Sequence, residues 1–194
     1  MKVMILIAGT VLLLGGVISF FSFRLKGIET PNYKVIKTLG DVEIREYPQM
    51  ILAQTKLGGK RYDSSGTTGF RTVANYIFGG NQQQQKIAMT APVIMNMSDT
   101  VASMSFVMPS QYQLSDLPLP NSKEVSLVTQ NSMTLAVLRF GGYSSDDKIA
   151  KHAQILFKVL EENNIRTKGS LLYMGYNAPW DLINRRNEVA FQID

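Results

Sequence analysis

Residues 41–60, DVEIREYPQMILAQTKLGGK, decide the fold, because a related stretch recurs later in the chain. Residues 124–143, EVSLVTQNSMTLAVLRFGGY, fall beneath them without a gap. Val42 then meets Val125, Met50 meets Met133, Leu52 meets Leu135, Ala53 meets Ala136, Gly58 meets Gly141 and Gly59 meets Gly142. Asp41 with Glu124, Ile44 with Leu127, Lys56 with Arg139 and Leu57 with Phe140 are chemically similar pairs. Within the first copy, Val42 to Tyr47 alternate apolar and polar side chains, the period of a half-buried strand. Pro48-Gln49 interrupts the run and Met50 to Leu57 resume it, so the pair reads as a hairpin. A strand pair repeated at fixed spacing marks an internally duplicated domain.

Working outward, each copy predicts a helix and two further strands. Residues 67–78 place Phe70, Val73, Ala74, Ile77 and Phe78 on one helical face, and Gly79-Gly80 ends the helix. Ser145 or Asp146 caps a second helix that runs to about Asn163, with Ile149, Ala153, Leu156 and Leu160 as its buried stripe. Strands follow at 87–97 and 102–108, matched by 171–176 and 188–193. The expected fold is α+β: a distorted antiparallel β-barrel of two pseudo-twofold ββαββ repeats, with about eight strands and two helices. The repeats cover about 33–113 and 124–194 of a domain spanning 33–194. Residues 114–123, with Pro118, Pro120 and Asn121, link them, and Gln82 to Gln85 read as a solvated loop.

Ahead of the domain, residues 3–23 are apolar apart from small polar interruptions. At 1.5 Å per residue such a helix is long enough to cross a bilayer. The run ends in Ser19-Phe20-Phe21-Ser22-Phe23 and not in a small-x-small cleavage site, which favours a retained single-pass anchor at 1–26 over a signal peptide. A cleaved segment would instead leave a secreted or periplasmic protein. Lys2 is balanced by Arg24 and Lys26, so charge leaves open which side of the membrane the domain faces. Residues 27–32 form the linker.

The 194 residues carry a net charge of +5, three of the cations falling in the first 26 residues. No basic stripe with interleaved aromatics appears in the rest, which argues against nucleic acid. The absence of cysteine removes disulfides and thiolate ligands, and one histidine precludes a multi-histidine metal site. An apolar content of 45% is enough for a packed core.

Several peptides, in order along about 160 residues, resemble the SOUL family of heme-binding proteins. They are Glu43-Ile44-Arg45-Glu46-Tyr47, Tyr76-Ile77-Phe78-Gly79, Lys86-Ile87-Ala88-Met89-Thr90-Ala91-Pro92-Val93 and Ser105-Phe106-Val107-Met108-Pro109. Phe140-Gly141-Gly142-Tyr143, Gly175-Tyr176-Asn177-Ala178-Pro179 and Asn184-Arg185-Arg186-Asn187-Glu188-Val189 complete the set. Ala190 stands where the family usually carries tryptophan. The resemblance implies a distorted barrel that binds heme or another porphyrin non-covalently, in a hydrophobic cleft beside the first helix, commonly without an obvious axial ligand.

A porphyrin is a flat apolar disc with two carboxylates, so it asks for an apolar wall and cations at its rim. Phe70, Ala74, Ile77 and Phe78 are the expected wall, Arg71 or Arg185 the propionate partners, and Trp180 a stacking ring. The ordinary reading of the same stripe is helix core, and Arg185-Arg186 can equally hold the last turn through backbone carbonyls. His152 borders the second helix's buried stripe and reads as structural rather than as an iron ligand, so no metal site is expected. The methionines at strand spacing, such as Met95 and Met104, read as gap fillers or as adaptable packing against a tetrapyrrole. No nucleophile elbow, catalytic triad or phosphate loop is present. The expected function is storage, buffering or delivery of a tetrapyrrole by a membrane-anchored, non-enzymatic protein. The alternative is a ligand-sensing or protein-interaction module on the same barrel.

Overall fold

The computed structural model describes residues 28–178, 181 and 183–194. The segment read as a membrane anchor and Trp180 lie outside the described residues, and no helix among the described residues is long and apolar enough to cross a membrane. The described elements run β1 (Lys34–Leu39), β2 (Val42–Tyr47), β3 (Met50–Lys56), α1 (Tyr62–Ile77), β4 (Val93–Asn96), β5 (Ser103–Val107), β6 (Val125–Gln130), β7 (Met133–Phe140), α2 (Asp146–Glu162), β8 (Thr167–Gly175) and β9 (Asn187–Ile193).

All nine described strands form one antiparallel sheet in the order β1-β2-β7-β9-β8-β4-β5-β3-β6. β4 and β8 meet at its centre, and β5-β3 on one side mirror β9-β7 on the other. Outside these, one strand of each repeat crosses over: β2 pairs with β7, and β6 with β3. Val42 faces Leu138 while Val125 faces Thr55, so the shift that carries Val42 onto Val125 also carries Thr55 onto Leu138. The duplication read from the sequence is a twofold in strand register.

Three expectations need correction. β2 and β3 are not a hairpin, because they do not pair with each other: β2 lies between β1 and β7, and β3 between β5 and β6. A ninth strand, β1, stands at the start of the first repeat and pairs with β2 through a turn at Gly40, whose φ of 59° suits a residue without a side chain. The sheet is also not closed, since β1 and β6 each have one neighbour. It nevertheless curls strongly. Only Pro48-Gln49 join β2 to β3, although five strands lie between them in sheet order, and two residues reach only a short distance.

Both helices lie on one face, over a core that includes Val73, Ile77, Phe106, Leu138, Leu156 and Val189. The other face holds a smaller apolar cluster of Tyr47, Leu135, Val137, Met174 and Ala190. Helix α1 begins at Tyr62, five residues before the periodicity predicted, through a stretch rich in Ser, Thr and Gly that has poor intrinsic helicity. Tertiary contact overrides that propensity. A Cβ at Gly69 would run into the Leu57 side chain and stand 3.3 Å from Met104, so a larger residue there requires Leu57 to move where the helix meets the sheet.

Candidate functional site

Helix α1 starts without a side-chain cap of its own at Arg61. Its first free amide, Tyr62 N–H, instead donates to Asp146 Oδ1 at 2.6 Å, while Arg61 Nε donates to Asp146 Oδ2 at 3.0 Å. Asp63 Oδ2 accepts the Asp146 amide at 3.3 Å. Each helix thus answers the other's unsatisfied first-turn donors with a carboxylate. Burial alone would raise the Asp146 carboxyl, but the bonds from Arg61, Tyr62 and Asp63 prevail and hold it below its ordinary value of 3.8. A lowered carboxylate stabilises the fold above its unfolded pKa, and that contribution disappears as pH falls through the folded value. Asp146→Ala is therefore expected to lose about 1 kcal/mol at neutral pH, within the usual range for a lost cap. Denaturation of both proteins should show the difference intact above about pH 5 and closing below pH 4.

This contact brings the start of α1 against the start of α2 and the end of β8. The Tyr62 ring packs edge-on to Tyr173 at 4.9 Å. The Tyr173 hydroxyl is hydrogen-bonded at 2.8 Å to Ser144 and at 2.8 Å to Asn187 Oδ1, and Asn187 Nδ2 donates to the Gly142 carbonyl at 2.7 Å. Burial pushes the Tyr173 phenol well above its ordinary range, so it serves as a neutral strut and not as a base. In the β8–β9 loop, Arg185 Nη1 donates to the carbonyls of Ala178 at 3.0 Å and Asp181 at 2.7 Å. Its guanidinium also sits 4.5 Å from the centre of the Tyr143 ring.

Between the β7–α2 and β8–β9 loops opens a recess of about 490 Å³ lined by Arg139, Phe140, Gly141, Gly142, Asn184 and Arg185. Two guanidinium groups line one recess, an arrangement suited to carboxylates. Tyr143 and Ile183, 57% and 78% exposed, present apolar surface beside it. The first copy carries Lys60 where the second carries Tyr143, so the twofold does not reproduce this site.

Arg139 is paired in register with Glu188, which anchors a polar cluster on the face away from the helices. Glu188 is fully buried; its carboxylate accepts from Arg45 at 2.9 and 3.2 Å, from Arg186 Nε at 2.9 Å and from the Tyr176 hydroxyl at 2.8 Å. Glu43 accepts from Arg45 Nε at 2.7 Å, and Tyr33 covers Arg45 at 4.3 Å. Burial opposes the charge on Arg45, yet Glu188 outweighs it and the guanidinium is held more firmly protonated than usual.

The sequence-predicted residues do not gather in one place. Ala74 and Ile77 are 6% and 1% exposed and close into the core under α1, and Phe70 is half-buried against Phe106 at 5.2 Å. Arg71 is exposed on α1 and Phe78 is exposed at its far end, roughly 24 Å along a 16-residue helix from the first turn. Arg185 belongs to the near end, where it holds the loop carbonyls as well as stacking. The open groove beside α1, about 710 Å³, is lined mainly by short polar residues such as Gln54, Ser64, Ser65 and Thr68, with Leu57 among them, and none of the expected wall residues lines it. His152 stacks on Phe140 at 4.2 Å, with Nδ1 2.7 Å from the Lys148 carbonyl, a packed structural position. Arg139 and Tyr143, which stand at the recess, are not among the sequence-predicted residues. The repeat alignment sets Tyr143 apart, since it stands against Lys60 after a matched Gly-Gly pair, whereas Arg139 matches Lys56 and carries no such mark.

Comparison with known proteins places this geometry in context. The model of the SOUL heme-binding protein family matches residues 28–192. Heme-binding protein 2 of Homo sapiens is 32% identical over 176 residues, spanning 84% of this chain and 85% of the human protein. Heme-binding protein 1 of Xenopus laevis is 31% identical over 156 residues, 77% of this chain and 82% of that protein. Among solved structures, the EcmrR C-terminal domain superposes with a TM-score of 0.62 at 11% identity, covering 84% of this chain and 98% of that one. A hydrolase from Listeria innocua gives 0.58 at 9% identity, covering 82% and 94%. Likeness at such low identity speaks for the fold alone.

Proposed function

The chain belongs to the SOUL heme-binding protein family, and from that premise we propose that it binds heme or a related tetrapyrrole reversibly and without covalent attachment. The match over residues 28–192 carries the proposal. The proposed contact is the recess between the β7–α2 and β8–β9 loops. Arg139 and Arg185 supply positive charge for the propionates, and Tyr143 and Ile183 supply apolar surface for the disc. Trp180, five residues before Arg185 in the chain, is proposed as a stacking ring. Arg71, exposed on α1, is kept as a second candidate cation, whereas Ala74 and Ile77 face the core and Phe70 and Phe78 sit away from the recess.

Storage, buffering or delivery follows from reversible binding, and residues 3–23 are proposed to hold the domain to a bilayer. Catalysis is no part of the proposal. Full-length chain titrated with hemin and, separately, with protoporphyrin should show saturable one-to-one absorbance changes with a Kd tighter than about 100 µM, near −5.5 kcal/mol. Linear, unsaturable changes with both compounds contradict it.

A further inference from the structure

We propose that the end of the domain carrying Ile28, Phe78, Leu114 and Leu119 docks on the lipid bilayer surface. The inference rests on reading residues 3–23 as a membrane anchor, and it adds to that reading a fixed orientation of the domain.

The first observation is that residues following the apolar run are built into the domain. The Glu29 carbonyl accepts the Ala91 amide at 2.9 Å, and Glu29 Oε1 accepts the Ser110 amide at 2.7 Å. Glu29 also forms a parallel bridge with Thr90. Phe23, the last residue of the run, precedes Ile28 by five positions, a reach of about 17 Å at full extension. A domain tied at Glu29 therefore stays within that reach of the membrane surface, with the Glu29 end nearest.

The second observation is what that end exposes. Phe78 and Leu119 are 61% and 62% exposed, Leu114 43% and Ile28 36%. Contacts join these positions. Leu114 and Glu29 line the same pocket of about 460 Å³ with Tyr112, and the Tyr112 hydroxyl accepts from Gln85 Nε2 at 3.2 Å. Gln82 N–H donates to the Leu119 carbonyl at 2.9 Å, and Asn121 N–H to the Gly80 carbonyl at 3.1 Å. The polar run Gln82 to Gln85 is the solvated loop its composition predicts, and it is pinned by its neighbours. Fully buried Asn81 bonds the carbonyls of Tyr76 and Gln85 at 3.0 and 2.7 Å, and the Tyr76 hydroxyl bonds the Pro118 carbonyl at 2.9 Å. Large apolar side chains held outward on pinned loops gain by entering the boundary between headgroups and acyl chains. Exposed Lys86, bridged to Phe78, adds a cation suited to anionic headgroups. The turn between β4 and β5, by contrast, carries Ser98, Asp99 and Thr100, with Asp99 ion-paired to Lys60.

Because the chain has no cysteine, Leu119→Cys and Val101→Cys each create a unique labelling site, and both positions are exposed. Each full-length variant, carrying an environment-sensitive fluorophore, is reconstituted in phosphatidylcholine–phosphatidylserine vesicles. The label at 119 should emit to the blue, be quenched by spin-labelled lipid and be shielded severalfold from aqueous iodide relative to the label at 101. A chain that does not float with the vesicles overturns the anchor and the docking together. One that floats with positions 119 and 101 equally open to iodide overturns the docking alone. Hemin titration of the same vesicles reports on tetrapyrrole binding independently.

Discussion

Replacing Glu188 with alanine is expected to cost the fold about 3–5 kcal/mol, because it takes the buried carboxylate away from the buried Arg45 and the partly buried Arg186. The side chain has no exposed surface and receives Arg45, Arg186 and Tyr176 together. Arg45 is itself 3% exposed and, among the described residues, keeps only Glu43, whose own side chain is 38% exposed, as a remaining anion. At this chain length a loss of that size lowers Tm by roughly 6–20 °C. Glu188→Gln retains the shape and one acceptor, so it should fall between wild type and the alanine variant. A shift under about 1 kcal/mol for Glu188→Ala, measured by denaturant unfolding, means that water or rearrangement compensates the cluster. Its value to the fold would then be small.

Replacing Arg139 with alanine is expected to weaken hemin binding about 10- to 100-fold while leaving Tm nearly unchanged. The side chain is exposed, so its removal opens no cavity. A hydrogen bond to a charged partner is worth about 1.5–3 kcal/mol, which sets the size of the loss. Hemin dimethyl ester separates charge recognition from apolar stacking, since it keeps the disc and lacks the carboxylates. Its affinity should not change on Arg139→Ala, whereas Tyr143→Ala should weaken both ligands. Equal losses for hemin and its ester on Arg139→Ala contradict the assigned role.

The fold was legible where the sequence repeats itself. Val42 against Val125 and Gly58-Gly59 against Gly141-Gly142 announced two copies, and the strands and helices of each copy stand in the predicted order. Strand exchange between copies was hidden, because alternation along Val42 to Tyr47 tells which face is buried and not which strand lies alongside. β1 was hidden for a related reason. Lys34 to Thr38 are all exposed, so no buried face imposes a period; the clue was Gly40-Asp41 between two β-forming stretches. The early start of α1 depends on Asp146, a residue of the other repeat, and no local rule anticipates that cap.

The site was less legible than the fold. The stripe Ala74 and Ile77 has the spacing of a wall and of a core alike, and packing under α1 chose core. Arg185 reads as a cation in sequence, but the loop around Ala178 and Asp181 uses it as a clamp as well. The recess itself draws Arg139 from β7 and Asn184 and Arg185 from the β8–β9 loop, elements that become neighbours only through the β7–β9 pairing. Spacing along a chain carries no trace of such a meeting.

Amide chemical-shift mapping of the full chain with protoporphyrin, a diamagnetic ligand, tests the central claim most directly. Saturable shifts should centre on residues 139–143 and residues 183–185, which form and flank the recess. Shifts centred on Met50, Met108 and Tyr112, or on the groove of Gln54, Ser65 and Thr68, or no saturable shift at all, contradict it.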